Sequence, residues 1–203
     1  MIAQTNIVSN SSAFDLETPV LETKRLMMRP PHRADIEDLA IIGNDRQIAE
    51  MTSRMPHPYT QDDALAFIEG FENGQNEGCI YAITVTETGR LIGMGSVENR
   101  ARFGGLEIGY WLGQAFWGKG YATEAASALV DLAFRVTETD VVLAACRTNN
   151  PASRKVLQKQ GFELLGLDEM DSRVAGRVPI ERHSLEREIW LAKKAEESQR
   201  ASQ

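Results

Sequence analysis

The chain has 203 residues, 42% apolar and 25% charged, which suits one compact core and excludes a disordered chain or a collagen-like fibre. Lys and Arg number 22 against 29 Asp and Glu, a net charge of −7 that argues against nucleic acid as a partner. Cys79 and Cys146 with His32, His57 and His183 form no disulfide framework and no HxxxH or HExxH pair, so no metal is expected.

Residues 1–20 are polar, Ser/Asn-rich and aperiodic. They read as a mobile tail without the basic start or apolar stretch of a signal peptide. No apolar run reaches membrane-span length, and with unpaired cysteines this points to the cytoplasm. TKRLMMRP (23–30) reads as a first strand. Ile36, Leu39, Ala40, Ile48 and Met51 suit one or two helices broken near Gly43-Asn44. Thr60 with Asp63 marks a helix start, and Ala64, Phe67, Ile68 and Phe71 follow at helical spacing. Two runs rich in Ile, Val, Tyr and Thr around Glu87-Thr88-Gly89-Arg90 predict a hairpin, and LEIGYWL (106–112) a third strand.

The loop GQAFWGKG leads into YATEAASALVDLAFRV, whose Ala122, Ala125, Ala126, Leu129 and Ala133 share a helical face. DVVLAACR reads as a buried strand. NNPASRKVLQKQ reads as a helix with Asn150 as cap, Pro151 in the first turn and Gly161 past its end. FELLGLD and SLEREIWLA read as the last strands, residues 168–181 carry no assignment, and 193–203 form a polar tail. The order predicts one domain, residues 21–192, of mixed α/β (α+β) class.

Strand, glycine loop and helix in succession are a seat for phosphate. Gly118 and Gly120 let backbone approach a ligand and take positive φ, the helix start offers N–H groups and a positive dipole end, and Lys119 adds charge. A plain tight turn uses the same glycines. Residues 147–160 hold Arg147, Arg154, Lys155 and Lys159 and no acid, which suits a polyanion or a solvated helix face. On residue type alone, Asn150 is a cap.

WGKGYATEA followed by NPASRKVLQKQGF resembles the Gcn5-related N-acetyltransferases (GNAT), most closely the branch of ribosomal-protein N-terminal acetyltransferases. TKRLMMRPPHRADIEDLA and IGYWL are similar to that branch too, and the likeness spans about residues 21–192. The resemblance implies a central, mostly antiparallel sheet with a splayed strand pair, flanked by helices. It implies transfer from acetyl-CoA to a primary amine, of a protein N-terminus or a small molecule, by direct attack in a ternary complex. It places the pyrophosphate on Gly118, Lys119, Gly120, Tyr121, Ala122 and Thr123, with Trp117 where the family prefers Gln or Arg. It places the pantetheine arm on Trp111, Leu112, Asn150 and Ser153. Leu157 stands where many relatives carry a tyrosine acid. Ser153 is therefore the expected proton donor, and Glu107, one residue off the family's glutamate, the expected base. Cys146 reads as a small buried hydrophobe.

Two other classes compete. A dinucleotide-binding oxidoreductase needs a third glycine where Thr123 stands and an acid where the next strand ends in Cys146-Arg147. A non-catalytic acyl-CoA-binding or sensor module fits the loss of tyrosine at Leu157. Acetyl-CoA, an amine acceptor and, as an option, a second copy of the chain are the expected partners, without metal, nucleic acid or membrane.

Overall fold

The computed structural model describes residues 18–76, 78–100 and 104–201. In chain order the strands are β1 (Leu21–Glu22), β2 (Leu26–Arg29), β3 (Gly78–Val85), β4 (Leu91–Arg100), β5 (Gly105–Leu112), β6 (Val141–Arg147), β7 (Glu163–Ser172) and β8 (Gly176–Glu186). The helices are α1 (Ile36–Gly43), α2 (Arg46–Met51), α3 (Gln61–Glu72), α4 (Tyr121–Val136), α5 (Pro151–Gln160) and α6 (Arg187–Ala201). The strands form one sheet in the order β1-β2-β3-β4-β5-β6-β8-β7. Every neighbouring pair is antiparallel except β5 and β6, which run parallel.

Local chemistry sets the helix starts. Asp45 accepts a hydrogen bond from the Gln47 N–H at 2.8 Å and opens α2 just after the predicted break. Thr60 and Asp63 form a reciprocal capping box on α3, satisfying two N–H groups that a helix start otherwise leaves unpaired. Asn150 caps α5 through the Ser153 N–H at 3.0 Å.

The sheet buries both faces. Leu26, Met28, Ile83, Ile108 and Leu112 pack under α4 with Leu129 and Phe134. Ile80, Ala82 and Met94 pack against Leu39 of α1 and Ile68 of α3. Side chains alternate along a strand, so β5 serves both layers: Leu106, Ile108 and Leu112 join the α4 core, while Trp111 packs with the α1–α3 layer.

The parallel pair holds together only briefly. Leu106 pairs with Val142 and Glu107 with Leu143, and beyond that register β5 and β6 part. Parallel strands lying apart leave ladder groups of β5 facing a gap.

The end of the chain differs from its sequence reading. SLEREIWLA divides at Arg187, where β8 gives way to α6, and α6 continues through the segment expected as a polar tail. Trp190 donates to Asp131 of α4 at 2.8 Å, and Lys194, four residues on, pairs with the same carboxylate at 2.9 Å. Such i,i+4 reach belongs to a helix; Ile189, Trp190 and Leu191 in succession carry no period, so the pattern was ambiguous. Residues 168–181 complete the β7–β8 hairpin. Of the tail expected over residues 1–20, residues 1–17 lie outside the described residues. Among the described residues no helix is long and apolar enough to cross a membrane.

Candidate active site

The glycine loop meets α4 in a conformation that only glycine takes cheaply. Gly118 has φ +72° and Gly120 φ +81°, where a side chain costs roughly 1–2 kcal/mol. A Cβ on Gly118 would meet nothing within 4 Å, so the loop is open above. Gly120 is the N-cap of α4, and among the described residues no side chain caps the helix. The first backbone bond runs from the Glu124 N–H to the Gly120 carbonyl at 3.1 Å. The N–H groups of Tyr121, Ala122 and Thr123 therefore point outward from a positive helix end, whereas α2, α3 and α5 are capped by their own side chains.

Distant residues hold this loop. Arg25 bonds Glu124 at 2.7 Å, donates to the Lys119 carbonyl at 2.9 Å and lies 4.5 Å from the centre of the Tyr121 ring. Thr23 also donates to Glu124 at 2.7 Å. Burial works to raise the Glu124 pKa, and the bonds from Thr23 and Arg25 outweigh it, leaving the carboxyl below its ordinary range. The Trp117 indole donates to the Leu112 carbonyl at 2.7 Å and closes the turn between β5 and the loop.

In the gap, the Tyr110 hydroxyl lies 3.1 Å from Ser153 Oγ. Burial raises the Tyr110 pKa, with the Ser153 bond opposing, so the phenol stays protonated. An added Cβ on Gly93 would strike the Trp111 carbonyl, which turns the Trp111 backbone toward β4. Alternation then turns the backbone groups of Tyr110 and Leu112 to the gap.

On the other face a cavity of about 810 Å³ opens against α1, α3 and the β7–β8 turn. Glu98 and Glu107, opposite each other on β4 and β5, both line it. Arg54 at 3.1 Å and Arg100 at 2.9 Å neutralise Glu98. The Glu107 carboxyl is pushed above its ordinary value by burial; Arg100 opposes the shift and Glu98 adds to it. The hairpin tip is clasped to the loop after α2, Ser172 Oγ donating to the Thr52 carbonyl at 3.1 Å and the Arg173 N–H to Ser53 at 2.9 Å.

Residues 25–163 match the family described as the acetyltransferase (GNAT) domain. This chain belongs to the GNAT family. The uncharacterized N-acetyltransferase p20 of Bacillus licheniformis is 30% identical over 165 residues, covering 78% of this chain and 90% of that protein. The ribosomal-protein-serine acetyltransferase of Escherichia coli is 37% identical over 60 residues, 30% of this chain and 34% of its own length. The structure of RimL, a ribosomal L7/L12 alpha-N-protein acetyltransferase in complex with coenzyme A, superposes with a TM-score of 0.70 at 17% identity, covering 84% of this chain and 99% of that one. The protein is thus an N-acetyltransferase with the GNAT fold, its splayed pair being β5 and β6.

Within this GNAT frame the expected residues divide among three places. Gly118 to Thr123 line the open loop, and Asn150, Ser153 and the Leu112 backbone border the gap. Asn150 spends Oδ1 on its cap, as residue type suggested, which leaves Nδ2 for a ligand. The Trp111 side chain joins the far core and its backbone faces β4. Glu107 stands across the sheet from Ser153, in the cavity. Leu157 is a core residue, 1% exposed. The basic run is not one patch. Arg154 is locked onto Glu181 at 2.6 and 2.7 Å, Arg147 lines the cavity and bonds the Glu50 carbonyl, and Lys155 and Lys159 stay exposed. Sequence reasoning missed Tyr110, although strand alternation put it on the same face as Ile108, and it missed Arg25, which no local pattern marks.

Proposed function

We propose that this acetyltransferase moves the acetyl group of acetyl-CoA to the amine at a peptide or protein N-terminus. One observation carries the reading: the Glu107 cavity is lined from both strands of the split pair, by Tyr110 and Trp111 of β5 and by Ala145 and Cys146 of β6, and the chain runs from the end of β5 into the uncapped start of α4. The residues fit the co-substrate, because open glycine backbone and unpaired helix N–H groups suit a pyrophosphate and a split ladder suits an amide-bearing arm. Acetyl-CoA supplies the acetyl group as an activated thioester.

The N–H groups from Gly118 to Thr123 hold the diphosphate, with Lys119 beside them. Backbone groups of Tyr110 and Leu112 and Asn150 Nδ2 hold the arm. Glu107 takes the proton from the acceptor's ammonium, directly or through water, and its raised pKa brings it nearer to working pH. On the opposite face Ser153 Oγ, backed by the Tyr110 hydroxyl, donates a proton to the leaving side. The named relatives that act on ribosomal proteins support a protein N-terminus. Free, buried Cys79 and Cys146 support a reducing, cytoplasmic setting.

The test is a screen of acceptors with thiol release as readout. Peptides beginning in Ser or Ala are expected to give turnover, and their Nα-acetylated forms none. Turnover confined to polyamines or amino acids would overturn the acceptor. Saturable acetyl-CoA binding with no turnover on any amine would return the domain to a binding module.

A further inference from the structure

Behind the gap, three potential metal ligands converge from two strands. Cys146 of β6 lies opposite Glu181 of β8, and His183 follows two residues along β8 on the same face. All three are buried, at 6%, 9% and 3% exposure. Cys146 Sγ is 3.9 Å from Glu181 Oε2 and 3.9 Å from His183 Nε2, and Nε2 is 3.4 Å from the same Oε2. Arg154 grips the carboxylate from outside.

The geometry is not that of a nucleophile relay. In a relay the base meets the nucleophile with one ring nitrogen and its orienting acid with the other. Here thiol and carboxylate both face Nε2, and Nδ1 is buried without a hydrogen-bond partner. Three different donor atoms facing one another around a point is instead the arrangement of metal ligands. Bonds of about 2.0–2.3 Å in a tetrahedral zinc site set its donor atoms roughly 3.3–3.6 Å apart, within a few tenths of an ångström of the three distances found. Sulfur, nitrogen and oxygen together suit a borderline-soft ion, not magnesium or calcium. Cys146 lines the large cavity, which gives a path of entry and room for a water as fourth ligand.

We propose that Cys146, Glu181 and His183 form a binding site for a zinc-class divalent ion. On binding, the thiol passes its proton to solvent and sulfur, Nε2 and Oε2 close on the ion. Arg154 remains on the carboxylate as an outer partner that orients it. With Nε2 on the ion the His183 ring proton sits on Nδ1, which has no hydrogen-bond partner among the described residues. The site escaped the sequence reading because the spacing sought was helical, whereas Glu181-x-His183 is the strand form of a same-face pair.

The test reads the ion itself and does not depend on acetyl transfer. The full-length protein is stripped with chelator and titrated with Co²⁺, then with Zn²⁺. Expected are one equivalent of Co²⁺, a sulfur-to-cobalt charge-transfer band in the near ultraviolet, tetrahedral visible bands, and displacement by Zn²⁺. Cys146→Ser should remove the band, and His183→Gln should weaken binding by at least the roughly 10–100-fold that outer-partner changes cost elsewhere. Cys79→Ser should keep the band. Far-UV circular dichroism checks that each variant is folded. Absence of a charge-transfer band in the parent, or a band that survives in folded Cys146→Ser, overturns the site.

Discussion

The two sides of the split sheet are made of different material. The α4 side presents backbone: two positive-φ glycines, an uncapped helix start and the unladdered edge of β5. The α1–α3 side presents side chains gathered from Arg54, Glu98, Glu107, Arg147 and Asp171, segments far apart in the chain. Backbone recognition needs a conformation and tolerates most side chains around it. Side-chain recognition needs particular groups and tolerates most routes that bring them there. The first side is therefore fit for a constant ligand and the second for a variable one.

Breaking the backbone side should cost most. Gly120→Asp sets a side chain at φ +81° and a charge against the diphosphate seat. Like charges in contact cost several kcal/mol, about 10²-fold or more in affinity. Acetyl-CoA affinity by calorimetry should fall by that much; a parent-like value would mean the diphosphate lies elsewhere.

The side-chain side is broken next by Glu107→Gln. Loss of the proposed general base should cost about 10²- to 10⁴-fold in kcat, with acetyl-CoA affinity kept. The parent's acid limb in kcat/KM should lie above the ordinary carboxylate value of 4.5 because burial raises the Glu107 pKa, and the variant should lack that limb. The folded state binds this proton more tightly than the unfolded chain does. Stability therefore falls as pH rises from 4.5 to the folded value, and denaturant titrations of the variant should lose that slope.

The join between the sides is probed by Tyr110→Phe and Ser153→Ala. Each should lower kcat by about 10²-fold, at the low end for acid catalysis. The double variant should be little worse than either, since the hydroxyls act as a pair. Additive losses would make them independent.

Asn150→Asp gives the smallest effect. Asp caps as well as Asn, so the melting temperature should hold. Losing Nδ2 should remove the hydrogen bond proposed to the arm, about 0.5–1.5 kcal/mol of acetyl-CoA binding, more at low salt because a negative charge joins a polyanion. Equal affinities would reduce Asn150 to its cap.

This division explains what could be read in advance. Gly118 and Gly120 sit next to their helix, so the seat proposed for the diphosphate is written in consecutive letters. Asn150, Pro151 and Gly161 bound α5 in the same local way, and Thr60 and Asp63 mark α3. Arg25, Tyr110 and the Glu98–Glu107 pair act across the fold, and only strand register brings them to their places. α6 was misread because its face is defined by contact with Asp131 rather than by its own period.

The brief contact of β5 with β6 has a mechanical consequence. Five strands, β1 to β5, form one leaf, and β6, β8 and β7 form another. Among the described residues, two pairs, Leu106 with Val142 and Glu107 with Leu143, are the rungs between the leaves. The seam is thus thinly laddered, and it is clamped from outside where α4 touches β5, β6 and α5. A molecule lying along the seam with amide groups of its own supplies the missing rungs and makes one sheet of two. Filling the gap then stiffens the protein far from the point of contact, and amide exchange in both leaves should slow together.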